Sequence, residues 1–150
     1  MSATKTAIRL LMVDDEADFL GAVAPGLERR GFAVETAENG RTALDLLARK
    51  AFDVVVLDVK MPGLDGISVF RRISELAPEL PVIMLTGHGN IQDAFETSRE
   101  GVYEYLTKPC RVESLAETAR RAHEERRLAE ERARRAERER TERILEERPD

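Results

Sequence analysis

The chain has 150 residues, 42% of them hydrophobic, and a formal net charge of −5, which suits one domain with a proper core and gives no general attraction to nucleic acid or anionic lipid. No apolar run approaches the roughly 18 residues a membrane span needs, and Met1 to Thr6 carries no apolar signal-peptide core. Cys110 is the single cysteine, so there is no internal disulfide and neither zinc-finger nor redox-pair spacing. A cytoplasmic protein without membrane or direct nucleic-acid contact is expected.

In chain order, Ile8 to Val13 reads as an apolar strand interrupted only by Arg9, and it runs into the acids Asp14-Asp15-Glu16. Phe19, Leu20, Val23 and Leu27 then fall at helical spacing up to Gly31, and Pro25-Gly26 inside that pattern predicts a kink. Phe32 to Ala37 is a short second strand. Asn39-Gly40 turns the chain into Ala43, Leu44, Leu47 and Ala48 of a second helix. Val54 to Leu57 is β-branched and apolar enough to be buried on both faces, the mark of a parallel sheet covered by helices, and it delivers Asp58 to the strand's carboxyl end.

Pro62, Gly63 and Gly66 make a loop after Asp58, and Ile67, Val69, Phe70, Ile73 and Leu76 give a third helix closed by Pro78 and Pro81. Val82 to Leu85 is a fourth buried strand ending in Thr86-Gly87-His88-Gly89. A helix through Ile91, Ala94, Phe95 and Ser98 leads to a fifth strand, Val102 to Leu106, ending in Thr107-Lys108-Pro109. This alternation predicts a doubly wound, five-stranded parallel α/β sheet with an extended C-terminal helix.

Taken alone, Asp58 reads as the cap of a turn. Its company changes that reading, because Asp14, Asp15, Asp58, Thr86 and Lys108 all fall at carboxyl ends of strands and therefore on one sheet edge. Three carboxylates gathered there repel one another unless a pKa rises or a divalent cation binds. An oxygen-only set suits Mg²⁺, which completes its shell with phosphate oxygens. Thr86 then offers a hydroxyl donor, Lys108 a positive charge, and Asp58 a nucleophile able to form an aspartyl phosphate.

With these residues in view, the chain resembles a receiver domain of the two-component response regulators over about residues 7 to 122. The resemblance rests on Asp14-Asp15, on Leu57-Asp58-Val59-Lys60-Met61-Pro62-Gly63-Leu64-Asp65-Gly66, on Thr86-Gly87 and on Lys108-Pro109. It implies a flavodoxin-like strand order 2-1-3-4-5, phosphorylation on Asp58 by a histidine kinase or phosphotransfer protein, and Mg²⁺ held by Asp14, Asp15, Asp58 and the backbone carbonyl of Lys60. It further implies Thr86 as switch hydroxyl, Lys108 as phosphate-binding lysine, Tyr105 as switch aromatic, a cis Lys108-Pro109 bond, and a phosphoryl path left open by the small Gly87. Glu16, Lys60 and His88 flank this site, where they either tune hydrolysis or are solvated. Tyr103 shares a strand face with Tyr105 if the period of two holds, so one of them simply packs.

Val112, Leu115, Ala116 and Ala119 pack a last helix on the sheet, which suggests a receiver domain over 1–122 and a charged helical extension over 123–150. His123 reads as a surface residue. Pairs four apart, Glu130 with Arg134, Glu131 with Arg135 and Glu139 with Arg143, contribute roughly 0.2 to 0.5 kcal/mol each. Leu115, Ala119, Ala122, Ala129, Ala133 and Ala136 follow a coiled-coil step broken by Arg126 and Arg140, so the extension is either a solvated helix or the seam of a weak homodimer that phosphorylation regulates. The Thr86-Gly87-His88-Gly89-Asn90 motif and the extension resemble receivers of the NtrC/DctD type. With neither a Walker A loop nor a helix-turn-helix pattern, the chain is expected to be a free-standing receiver or a piece of a longer regulator. The reading is a phosphoacceptor switch with intrinsic autophosphatase activity rather than a metabolic enzyme. Two alternatives stand beside it: a phosphorylation-independent scaffold, and a Mg²⁺-dependent phosphohydrolase of the haloacid dehalogenase type, which would want an aspartate where Lys60 stands.

Overall fold

The structure, a computed structural model, describes residues 6–87 and 100–147. Five parallel strands, β1 (Ile8–Val13), β2 (Phe32–Ala37), β3 (Val54–Asp58), β4 (Val82–Thr86) and β5 (Glu104–Thr107), form one sheet in the order β2-β1-β3-β4-β5. The described helices are α1 (Ala17–Glu28), α2 (Gly40–Arg49), α3 (Gly66–Leu76) and α4 (Val112–Glu146). The helix expected over 91–98 and His88 lie outside the described residues.

The side-chain period of two along each central strand sorts the core into two layers. Leu11, Val13, Val55, Leu57, Val82 and Met84 face α2 and α3, meeting Ala43, Val69, Phe70 and Ile73. Leu10, Met12, Val54, Val56, Ile83 and Leu85 face α1 and α4, meeting Leu20, Val23, Leu27, Leu115 and Ala119. Every residue of β3 is buried, as its unbroken apolar run requires for the middle of a sheet covered on both faces. The helix starts are chemically specified. Asn39 Oδ1 accepts from the Thr42 N–H at 2.8 Å and Asp65 Oδ1 from the Ser68 N–H at 2.8 Å, each satisfying a donor the first turn leaves over.

Pro25 sits inside α1 without ending it. Both Pro25 and Gly21, whose carbonyl loses a partner, are on the exposed side, open to solvent. Gly26 faces inward, and a Cβ there would stand 2.9 Å from Val112 Cγ2, so its missing side chain lets α1 and α4 approach closely. At the other edge, β5 begins at Glu104, two residues later than expected. Tyr103 therefore precedes the strand and turns to the α1/α4 layer, whereas Tyr105 packs into the α2/α3 layer. The strand face expected to hold both rings does not exist.

α4 is continuous through position 122. Leu115, Ala119 and Ala122 are at most 1% exposed, so half of the predicted seam is spent on this domain's own core and Ala129, Ala133 and Ala136 remain outside. His123, expected on the surface, is half-buried where α4 leaves the sheet, with its Nδ1 shielded from solvent. Just beyond it, Arg126 Nη1 donates to the Phe52 carbonyl at 3.4 Å. Of the three expected ion pairs, Glu131 with Arg135 forms at 3.4 Å, while Glu130 pairs backward with Arg126 at 2.9 Å. Glu139 and Arg143 form no ion pair among the described residues.

Candidate functional site

The carboxyl ends of β1 and β3 lie side by side, with Val13 opposite Leu57 in the register, and so carry Asp14 and Asp58 to the same point of the edge. Asp14 is fully buried and Asp58 6% exposed, unusual for carboxylates unless they are paired. Lys108 answers both. It follows β5 directly and leads into a cis bond to Pro109, as expected, and its Nζ stands 2.6 Å from Asp14 Oδ2, 3.5 Å from Asp58 Oδ2 and 3.5 Å from Glu16 Oε1. The Glu16 N–H donates to Asp14 Oδ1 at 2.9 Å and the Lys60 N–H to Asp58 Oδ1 at 3.2 Å, fixing both carboxylates from the backbone. Asp15 and the Lys60 side chain are exposed at the rim.

Asp14, Asp15 and Glu16 each present an oxygen within 4.8 Å of the others. This all-oxygen, net negative set fits a hard divalent cation such as Mg²⁺. Glu16 thus joins the acidic group more closely than its place as a flanking residue suggested. Thr86 ends β4 beside Asp58, and its hydroxyl donates to the Gly87 carbonyl at 3.1 Å, so in this state it is turned onto its own loop. Tyr105 sits opposite Met84, in the layer below the edge. Sequence reasoning missed Phe19, whose ring centroid lies 4.7 Å from Lys108 Nζ. The only signal was an aromatic residue one helical turn past the acids.

Burial, and next the charge of Asp14, push the Asp58 carboxyl up to about 6 from 3.8, against the opposing pull of Lys108 and the Lys60 N–H. Burial alone would lower Lys108, but Asp14, Asp58 and Glu16 together hold its ammonium above the ordinary value. For Asp58 the folded pKa lies above the unfolded one. Between 3.8 and about 6 the native state therefore holds a proton the unfolded state has released, and stability falls as pH rises through that window. Asp58→Asn is expected to be more stable than the wild type at pH 7 in chelator by about 2 kcal/mol, after discounting for screening at the cleft mouth. The gain should vanish near pH 4. Urea unfolding at the two pH values checks this, and a gain independent of pH would contradict it.

The sheet order and the lysine-bridged acidic cleft at the carboxyl edge of β1 and β3 define a doubly wound α/β domain built to receive a phosphoryl group. The response regulator receiver domain family matches residues 10–120, and the chain belongs to it. It is 39% identical over 119 residues to the C4-dicarboxylate transport transcriptional regulatory protein DctD of Rhizobium meliloti, covering 79% of this chain and 26% of that protein. Over 111 residues it is 33% identical to the DNA-binding transcriptional regulator NtrC of Escherichia coli, covering 74% of this chain and 24% of that one. Among solved structures, a response regulator receiver domain protein from Clostridium thermocellum is 34% identical with a TM-score of 0.78, covering 81% of this chain and 98% of that one. The receiver domain of NtrX from Brucella abortus is 38% identical with a TM-score of 0.73, covering 77% and 98%.

The chain spans about a quarter of the length of the DctD and NtrC relatives above. As a receiver it is a phosphoacceptor signalling switch of two-component systems, and such domains bind Mg²⁺ at an acidic pocket and are phosphorylated by histidine kinases or phosphotransfer proteins. The family assignment lends no support to the haloacid dehalogenase alternative. No described helix is long and apolar enough to cross a membrane.

Proposed function

We propose that Asp58 is the phosphoacceptor of this chain, with Asp14, Asp15 and the Lys60 carbonyl joining it around Mg²⁺, Lys108 and Thr86 holding the phosphoryl oxygens, and Thr86 with Tyr105 forming the switch. The observation that carries this is Asp58 itself: a buried carboxylate at the end of the central strand, held by the Lys60 N–H and bridged to Asp14 by Lys108. An oxygen of Asp58 attacks the donor phosphorus, the O–P bond forms, and the donor nitrogen or oxygen leaves with the bonding pair. Mg²⁺, when bound, offsets the carboxylate charge that would otherwise repel the phosphoryl. The Lys108 ammonium then exchanges an Asp58 oxygen for a phosphoryl oxygen, and Thr86 turns its hydroxyl from the Gly87 carbonyl to another. Water then attacks the phosphorus, the Asp58 O–P bond breaks, and inorganic phosphate leaves with the Asp58 carboxylate restored, the autophosphatase step that resets the switch.

Within this proposal residues 1–122 are the receiver, 123–150 a helical extension, and the cytoplasm the compartment. Self-association, through the receiver face or the extension, is proposed only as weak, because three exposed alanines bury little area. The test is incubation with Mg²⁺ and a small phosphodonor such as acetyl phosphate. One acyl phosphate per chain, labile to acid and base, is expected, and none in chelator. A stable hydroxyl phosphate, or labelling indifferent to chelator, would overturn the proposal.

A further inference from the structure

Lys108 is drawn toward several partners at once. Asp14, Asp58 and Glu16 lie between 2.6 and 3.5 Å from its ammonium, and all three are carboxylates. A compact ammonium on a flexible four-carbon stem lacks the planar fork that would fix it on one carboxylate, so these three partners share its donors. Phe19 differs from these partners in kind. Its ring is neutral, lies 4.7 Å from Lys108 Nζ, and is fixed in the first turn of α1 by packing against the cluster that includes Leu20 and Leu115. An ammonium within about 6 Å of a ring centroid is attracted to the ring face, and the attraction strengthens where water is excluded. The Lys108 side chain is 18% exposed, so much of that water is gone. The ring adds an attraction on α1, from a direction that the backbone-held carboxylates of Asp14 and Asp58 do not supply.

We propose that Phe19 is a positioning residue for phosphoryl acceptance: its ring face holds the Lys108 ammonium at the cleft mouth between Asp14 and Asp58, already placed when a phosphoryl reaches Asp58. The proposal rests on Asp58 being the acceptor, and it assigns Phe19 no contact with the phosphoryl itself.

The test is a double-mutant cycle of Phe19→Leu and Lys108→Met in the full chain, read by the initial rate of acetyl phosphate labelling with Mg²⁺ and, separately, by urea unfolding in chelator. With Lys108 present, Phe19→Leu is expected to slow labelling about fivefold, whereas Phe19→Tyr, which keeps the ring, should stay near the wild-type rate. In the Lys108→Met background Phe19→Leu should leave the residual rate unchanged. In unfolding, the two substitutions should be non-additive by a factor of about three in the equilibrium constant. Equal slowing in both backgrounds would reduce Phe19 to core packing, and an unchanged rate with Lys108 present would remove its role. Additive unfolding effects would deny the contact. A wild-type chain that takes no label would overturn the acceptor reading and this role with it, while unfolding would still report the contact on its own.

Discussion

Asp58→Asn is expected to abolish incorporation of the acyl phosphate while leaving the fold intact. The amide keeps the shape of the side chain and one carbonyl oxygen to accept the Lys60 N–H, so the loop after β3 retains its anchor. What disappears is the anionic oxygen that attacks phosphorus, together with the partner of the Lys108 ammonium at 3.5 Å. Loss of label with an unchanged or raised unfolding midpoint is the result to look for, by intact-mass measurement beside urea unfolding. Undiminished labelling would move the nucleophile elsewhere, and Asp14 and Asp15 would be next to examine. A collapse of stability would show that Asp58 serves structure instead.

Gly66→Ala should be the most disruptive single methyl addition near the site. A Cβ at position 66 would stand 2.0 Å from the Asp58 carbonyl oxygen, 2.8 Å from Val59 Cα and 2.9 Å from the Asp58 carbonyl carbon. All three are backbone atoms, which cannot swing aside as a side chain would. The first turn of α3 must therefore draw away from the end of β3, losing the Gly66 N–H bond to the Val59 carbonyl at 3.0 Å. Alanine's better helix propensity returns at most about 1 kcal/mol, and overpacking at its upper range leaves a net cost of about 2 to 3 kcal/mol. Because the displaced backbone is that of Asp58 itself, labelling should fall along with stability. Urea unfolding and the acetyl phosphate assay read the two effects, and a variant as stable and as reactive as the wild type would contradict the close approach.

What made the fold legible was the contrast between apolar runs and what ends them. Val54 to Leu57 cannot be anything but interior, and the residue that breaks such a run must lie at an edge, so the sequence itself places Asp14 and Asp58. The order of the strands came from the family resemblance, since periodicity says which face a residue takes but not which strand lies beside it. Three features were hidden for a common reason: each depends on where two distant segments meet. Tyr103 turns away from Tyr105 because β5 starts at Glu104, and Arg121 on α4 donates to its hydroxyl at 3.2 Å. Glu130 takes Arg126 rather than Arg134 because Arg126 is already brought to the base of α4 by the Phe52 carbonyl. Phe19 carries the same apolar signature as Leu20, and nothing in spacing says that a lysine 89 positions later will lie over its ring.

The 35 residues of α4 run without interruption from the core to Glu146. At about 1.5 Å per residue the helix is roughly 50 Å long, and the stretch beyond Arg126 stands about 30 Å clear of the sheet. Such a rod conveys angle as well as distance. Each residue turns the far end by about 100°, so removing seven restores nearly the original bearing, while removing four or five turns it by some 40° to 140°. The bearing of Glu146 relative to the phosphoryl cleft is thus a quantity written in residue count, and a lengthened or shortened α4 would point in a new direction with every contact in the cleft unchanged.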